Sequence, residues 1–147
     1  MATNLGIAAA SGLVIWALGL KMFLLIQVPI WIVASAIGVW LFYVQHQFES
    51  TYWAKQAGGW NVREAALHGS SHYDLPLVLR WLTANIGVHH VHHLASRIPY
   101  YRLGEVLRDF PELRAVSRMT LLESFKSVRL ALWDENSGRL VAFSSLA

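Results

Sequence analysis

The sequence predicts an all-α membrane protein in which one transmembrane helical hairpin precedes a cytoplasmic helical domain carrying an HxxHH pattern. Two observations support this fold class. Between Ala2 and Val44 the only charged side chain is Lys21, whereas every Asp and Glu and all the other Lys and Arg follow residue 44. Four of the 7 histidines lie between His89 and His93. We therefore expect residues 1–44 to form the transmembrane hairpin, and residues 45–147 to form the histidine-box domain and C-terminal tail.

The apolar half is long enough for two membrane helices, because one crossing of about 30 Å of hydrocarbon takes about 20 helical residues. We place the spans at about Leu5–Leu20 and Leu24–Val44, with the turn of the hairpin around Lys21, Gln27 and Pro29. The alternative for Pro29 is the first turn of the second helix, where its missing N–H is harmless. A cleaved signal peptide is a poor interpretation, since no basic segment precedes the apolar stretch and the stretch is too long. The alternative is a buried two-helix core of a soluble protein.

Charge and cysteine content predict the location of the chain. Two spans return it to its starting side, and the Lys and Arg residues after Val44 then place both termini in the cytoplasm. The two spans and the charge distribution therefore predict a multi-pass protein of the inner (cytoplasmic) membrane. The absence of cysteine excludes disulfides, thiolate ligands and a Cys nucleophile. Anionic lipid headgroups explain the basic balance better than nucleic acid, for which the sequence carries no motif.

The histidine cluster has the spacing of metal ligands. On a helix, His89, His92 and His93 fall within roughly one third of the circumference, because positions three and four apart share a face. His90 projects about 100° away from His89 and is the least suited of the four to the same site. Neutral imidazole binds iron, zinc, copper and nickel. The alternative is a solvated polyhistidine run.

One helix is expected to carry this cluster, from about Leu75 to Leu94, with Asp74 as its N-cap. On a helical wheel its apolar stripe continues into His89 and His93, which would bury these rings. Burying several rings without partners is costly, and a metal ion would satisfy several nitrogens at once. The stripe consists of Leu75, Val78, Leu79, Leu82 and Ile86.

Other polar residues are weaker candidates. His46 and Glu49 lie three apart after the second span and could face one site, although a histidine there is also common at the level of the lipid headgroups. Asn85 lies four residues before His89 and could support a ligand or bind weakly itself. His68 and His72 flank Gly-Ser-Ser, which predicts a loop, so surface or packing roles are favoured for both.

The remaining segments are expected to be scaffold. Gly58-Gly59 marks a loop, and the residues Thr120 to Glu123 form a capping box that begins a helix to about Trp133. A turn over residues 134–138 and a short strand or tail over residues 139–143 follow.

At the level of motifs, the chain resembles a known family. The pattern His89-x-x-His92-His93 is followed by Leu-Ala-Ser-Arg-Ile-Pro-Tyr-Tyr-Arg-Leu, and the segment Trp-Leu-Phe-Tyr-Val-Gln-His46-Gln-Phe-Glu precedes it. These segments resemble the C-terminal part of membrane fatty acid desaturases, particularly the bacterial acyl-lipid omega-6 (delta-12) type. The resemblance covers nearly the whole chain. It implies that His89, His92 and His93 bind a diiron centre and that His46 is a further iron ligand.

The resemblance implies oxygen-dependent introduction of a double bond into the acyl chains of membrane lipids, with electrons from ferredoxin or cytochrome b5. Complete desaturases have two earlier boxes, H-x(3-4)-H and H-x(2-3)-HH, whereas no histidine precedes His46 here. We therefore expect a C-terminal part that lacks the other half and does not desaturate alone. The alternatives are a non-catalytic metal-binding membrane anchor or subunit, and a related membrane hydroxylase or carotenoid-modifying enzyme.

Overall fold

The computed structural model describes residues 1–54 and 60–146, and the loop expected at Gly58-Gly59 lies outside these ranges. The chain forms two compact units, Met1–Trp40 and Leu41–Ala147. Helices predominate, as the sequence predicts.

The first unit consists of apolar helix. Helix α1 covers Ala2–Leu18 and helix α2 covers Leu20–His46. No side chain within residues 1–40 is buried, as expected for helices that present apolar surface to lipid. With 27 residues, α2 extends about 40 Å and is long and apolar enough to cross a membrane. Helix α1 has 17 residues, somewhat fewer than a crossing usually takes.

The break between these helices lies at Gly19, and the expected turn around Lys21, Gln27 and Pro29 was wrong. All three residues lie inside α2. Gly19 has φ 81°, a left-handed conformation that costs a residue without Cβ little. Pro29 removes one backbone hydrogen bond of the helix, a loss that apolar helices of this kind tolerate.

The second unit begins with the end of α2 and continues into α3, Val62–His68, which the side chain of Asn61 caps. Strand β1, His72–Asp74, follows and pairs in parallel with a later strand, β2, Arg118–Thr120. An isolated antiparallel bridge joins His72 to Val88.

The single helix expected over Leu75–Leu94 is in fact two helices, α4 (Leu77–Leu82) and α5 (His89–Leu94). Ala84 and Asn85, with φ of 52° and 53°, end the first. The chain then pairs with β1, where the Tyr73 N–H donates to the carbonyl of Gly87 at 2.7 Å. These long-range backbone bonds replace the helical bonds that periodicity predicts.

Two consequences follow for the expected stripe and cap. Leu75 is buried, but Val78 and Leu82 are 67% and 63% exposed, so the stripe does not run in register with the histidines. Asp74 lies in β1 and pairs with Arg118 at 2.7 Å, while Pro76 occupies the N-cap position of α4.

The hydrophobic core lies beneath α5 and α6, Leu103–Asp109. Val88 and Val91 pack there against Leu103 and Leu107, all four being almost fully buried. This packing fixes α5 from the side opposite its exposed ring, His93.

The C-terminal part corrects the all-α prediction. The capping box at Thr120 is present, but its helix α7 covers only Leu121–Ser124. A 3-10 helix, Phe125–Arg129, follows, and then β3, Leu130–Asp134, pairs antiparallel with β4, Arg139–Ala142. The expected turn over residues 134–138 and the strand after it are confirmed. The hairpin forms because Gly138, at φ 62°, closes a turn that returns one apolar strand onto the other. Three further 3-10 helices cover Tyr100–Arg102, Pro111–Arg114 and Phe143–Leu146.

Candidate metal centre

Three histidine rings meet at the end of α2. His46 is the last residue of that helix, and His89 and His93 lie four apart on one face of α5. Nε2 of His93 lies 3.2 Å from Nε2 of His46 and 3.0 Å from Nε2 of His89. Nitrogens that each bind one ion at about 2.1 Å lie about 3.0 to 3.4 Å apart. These two distances suit pairs of ligands on one metal ion, and the ligand atoms of all three rings lie within 4.8 Å of one another.

The tautomer of His46 prepares its Nε2 for a metal. Nδ1 of this ring lies 2.8 Å from the carbonyl oxygen of Phe42. A carbonyl only accepts, so Nδ1 carries the proton and the neutral ring has its lone pair on Nε2. The phenyl ring of Phe42 also packs on the imidazole, with ring centroids 4.7 Å apart. Together these contacts fix both the orientation and the protonation that a ligand requires.

Hydrogen bonding within the protein does not account for all the short contacts of His93. A ring nitrogen offers either one proton or one lone pair in the plane of the ring. Nε2 of His93 can make one well-aligned hydrogen bond, with His46 or with His89, but not both. Nδ1 of His89 is buried without a hydrogen-bond partner among the described residues. A bound cation resolves the conflict at Nε2 of His93, because the Nε2 lone pairs of the rings can then point at the ion. Nδ1 of His89 then carries the proton, and its lack of a partner among the described residues is a separate feature of the site.

The surroundings of His89 and His93 favour the neutral form of these two rings. The pKa of His89 is lowered to about 3, chiefly because burial disfavours the charged ring and also because neighbouring rings such as His93 and His46 would repel its proton. Burial and the same repulsion from His46 lower the pKa of His93. At pH 7 both rings are therefore in the neutral form that binds metal.

The other two histidines of the cluster lie outside this trio. His92 is half-buried and its ring lies 5.6 Å from that of His89 and 5.9 Å from that of His93, centroid to centroid. His90 is fully buried and donates from Nε2 to the carbonyl of Leu113 at 2.9 Å. His90 therefore has a structural role, in agreement with the prediction that it projects about 100° away from His89.

His68 and His72 have the surface and packing roles expected for them. His68 is exposed and lies 3.5 Å from Glu64. His72 is buried and donates from Nδ1 to the carbonyl of Arg114.

The two residues expected to support the ligands, Asn85 and Glu49, do not belong to the histidine trio. The backbone N–H of Asn85 donates to Arg80 in the turn before α5. Glu49 is exposed and lies 3.7 Å from Arg139, and its carbonyl accepts from the Leu140 N–H. The trio found among the described residues includes neither side chain.

The contacts that hold the end of α2 against the rest of the second unit were not predicted from the sequence. Gln45, next to His46, is buried and donates to the carbonyl of Ile86, three residues before His89. Tyr43 donates to the carbonyl of Ser127 at 3.0 Å, and Gln47 donates to that of Leu130 at 3.1 Å. The run of polar residues around His46 is the only sequence signal of these tethers, since their carbonyl partners lie 41 to 84 residues away.

A cavity of about 420 Å³ borders two of the ligands. His46 and His93 line it, together with the aromatic side chains of Tyr52, Trp53 and Trp60. Its walls are mainly apolar, so the histidine nitrogens border a space that suits an apolar molecule.

Comparison with known proteins agrees with this site. A model of the fatty acid desaturase family matches residues 1–122. A fatty acid desaturase of Bacillus subtilis (strain 168) is 43% identical over 144 residues, which cover 98% of this chain and 41% of the relative. A chloroplastic omega-6 fatty acid desaturase of Brassica napus is 43% identical over 49 residues, 33% of this chain and 11% of the relative. One of Glycine max is 36% identical over 58 residues, 40% of this chain and 14% of the relative. No solved structure matches significantly.

The chain therefore belongs to the fatty acid desaturase family, and the resemblance drawn from the histidine motifs is confirmed. It spans 41% of the length of the Bacillus subtilis relative, and the parts aligned with the plant relatives are shorter still.

Proposed function

We propose that this chain contributes ligands to the iron centre of an oxygen-dependent acyl desaturase. The observation that carries the proposal is the convergence of Nε2 atoms from His46, His89 and His93, with the tautomer of His46 set by the carbonyl of Phe42. Family membership favours iron among the metals that bind imidazole. His92, adjacent on the same short helix, supplies a fourth ring to the centre.

Each residue has a role in this proposal. His46 and His93 hold metal at the mouth of the aromatic-walled cavity, and His89 holds it from the buried side. Bound iron supplies the oxygen chemistry that removes two hydrogens from an unactivated acyl chain. The mainly apolar walls of the cavity, among them Tyr52, Trp53 and Trp60, accept the apolar chain beside the ligands.

The full activity requires groups beyond these residues. Four rings are fewer than a diiron centre of histidines needs, so we propose that further histidines from outside residues 1–147 complete it. The substrates are acyl chains of membrane lipids, and ferredoxin or cytochrome b5 supplies the electrons. The proposal puts the site at a membrane, next to the end of α2, and puts both termini on the cytoplasmic side, which the Lys and Arg residues after Val44 support.

Metal titration tests the binding part of this proposal. The full chain in detergent is titrated with Co²⁺, whose visible spectrum reports imidazole ligation. His93→Ala should weaken binding by about 100-fold or more, because losing a ligand costs at least as much as losing an outer contact to one. His68→Ala is the matched control, since His68 is exposed and pairs with Glu64. Equal affinities in all three chains would refute the site.

Lipid analysis tests the catalytic part. Cells that express this chain alone should show no new double bond in their membrane lipids, and supplying the missing histidines on a second polypeptide should produce one. A double bond made by the chain alone, and lost on His92→Ala, would refute the claim of an incomplete centre. Metal binding without desaturation in either case would favour a non-catalytic metal-binding anchor.

A further inference from the structure

We propose that the outer face of α4 inserts into the lipid surface next to the end of α2. This face carries four large apolar side chains at positions one, two, five and six of the helix, which share a side. Their exposures are 80%, 67%, 77% and 63% for Leu77, Val78, Trp81 and Leu82. Contiguous exposed apolar surface of this kind marks a contact with a membrane or a partner.

The backbone places this face close to the end of the apolar helix. Before α4, the Ser71 N–H donates to the carbonyl of Gln45 at 2.9 Å; after it, the side chain of Gln45 donates to the carbonyl of Ile86 at 3.1 Å. The segment that carries α4 is therefore attached at both ends to the last turn of α2. Leu82, four residues from Ile86, lies within about 14 Å of that anchor at about 3.5 Å per residue.

This attachment identifies lipid as the occupant. Helix α2 is long and apolar enough to cross the hydrocarbon, so its last turn lies near the membrane surface. Leu82, held within about 14 Å of Ile86, which Gln45 of that turn contacts, is close enough to reach the headgroups and upper acyl chains. With six residues, α4 is far too short to cross the bilayer itself.

The side chains of α4 have the chemistry of an interfacial helix. Trp81 combines a large apolar ring with one N–H donor, the combination that is enriched at membrane interfaces. The charged residue of the helix, Arg80, is half-buried, with its guanidinium beside Gly104 of α6. The outer face is therefore free of charge, and inserting it buries no ionised group.

The absence of cysteine makes a direct test possible. Val78→Cys and Trp81→Cys, each carrying a nitroxide label, are prepared in the full chain and reconstituted into phosphatidylcholine–phosphatidylglycerol vesicles. Spin relaxation measures the access of oxygen, which partitions into lipid, and of a neutral nickel chelate, which stays in water. Ile32→Cys in α2 is the lipid reference, and Glu112→Cys, at an exposed polar position, is the water reference.

Labels at Val78 and Trp81 should show an oxygen-to-nickel ratio shifted from that of Glu112 towards that of Ile32. Ratios equal to that of Glu112 would overturn the inference, and so would exclusion of both reagents, which would mean that protein covers the face. The inference rests on the proposed membrane placement of α2. A label at Ile32 that the nickel chelate reaches would overturn both, whereas a lipid-embedded Ile32 with water-exposed labels on α4 would overturn the inference alone.

Discussion

The substitution Gly87→Ala should disturb the metal centre by displacing the backbone that leads into His89. The carbonyl of Gly87 accepts from the Tyr73 N–H at 2.7 Å, and a Cβ added at Gly87 would overlap the carbonyl oxygen of Tyr73. Tyr73 is 2% exposed and its strand, β1, is paired with β2, so β1 has no free space into which it could move. Gly87→Ala must therefore displace β1 or the segment that leads into His89.

The expected cost follows from the packing around the two strands. Forcing one extra carbon into a tightly packed interior costs about 1–3 kcal/mol. Gly104→Ala is the matched control, because its Cβ would lie 3.5 Å from the flexible end of Arg80 and would meet no backbone. Alanine is also favoured over glycine within a helix such as α6 by about 0.8–1.0 kcal/mol. The two variants should thus change the free energy of unfolding in opposite directions.

Urea unfolding of the full chain in detergent, followed by circular dichroism, measures both changes. Co²⁺ titration of the same preparations reports whether the displacement reaches His89. We expect Gly87→Ala to lower both stability and metal affinity and Gly104→Ala to lower neither. A Gly87→Ala chain as stable as the unaltered one would refute the close contact between β1 and the segment before α5.

Three further predictions concern the contacts around the site. Because burial lowers the pKa of His90 to about 4, the unfolded chain takes up this proton first as pH falls below about 6.5, so His90 alone should cost the metal-free chain about 1 kcal/mol of unfolding free energy between pH 7 and pH 5.5, in addition to the losses from His89 and the other buried histidines. His90→Gln, whose amide can still donate to Leu113, should lose less in urea titrations at the two pH values, and an equal loss would count against the assignment. Tyr43→Phe removes the hydroxyl that ties α2 to the 3-10 helix before β3, so Co²⁺ affinity should fall about 10-fold; unchanged affinity would show that the tether does not position the ligand. Thr120→Ala breaks the capping box with Glu123 and should cost about 1 kcal/mol in thermal unfolding, while Thr120→Ser should cost little.

The three residues of the trio could be named from sequence because the information is local, whereas His92, which was also expected to be a ligand, lies outside the trio. His89 and His93 are four residues apart, and any helical backbone places them on one face. The likeness of the segment around His46 to a desaturase motif added the third ring. The approach of the His46 ring to the rings on α5 could not be predicted, because it depends on tertiary hydrogen bonds such as that from Gln45 to Ile86.

Two of the errors have a common cause, which is competition from distant backbone partners. Periodicity predicts one helix from residue 75 to residue 94, but the bonds of residues 87 and 88 to β1 interrupt it. The capping box at Thr120 correctly predicts where α7 begins. The expected helix does not continue to Trp133, because the residues of β3 pair with β4 instead. At the N-terminal break, the choice of Gly19 over Pro29 reflects the freedom of glycine at positive φ.

X-ray absorption at the iron edge tests directly whether the converging histidines of this chain bind iron, as we propose. We predict that the full chain loaded with Fe²⁺ shows imidazole scattering from at least three rings. This scattering should decrease in His46→Ala and in His93→Ala and remain unchanged in His68→Ala. Iron bound without imidazole would contradict the proposed iron site. Imidazole scattering that neither His46→Ala nor His93→Ala reduces would also contradict it.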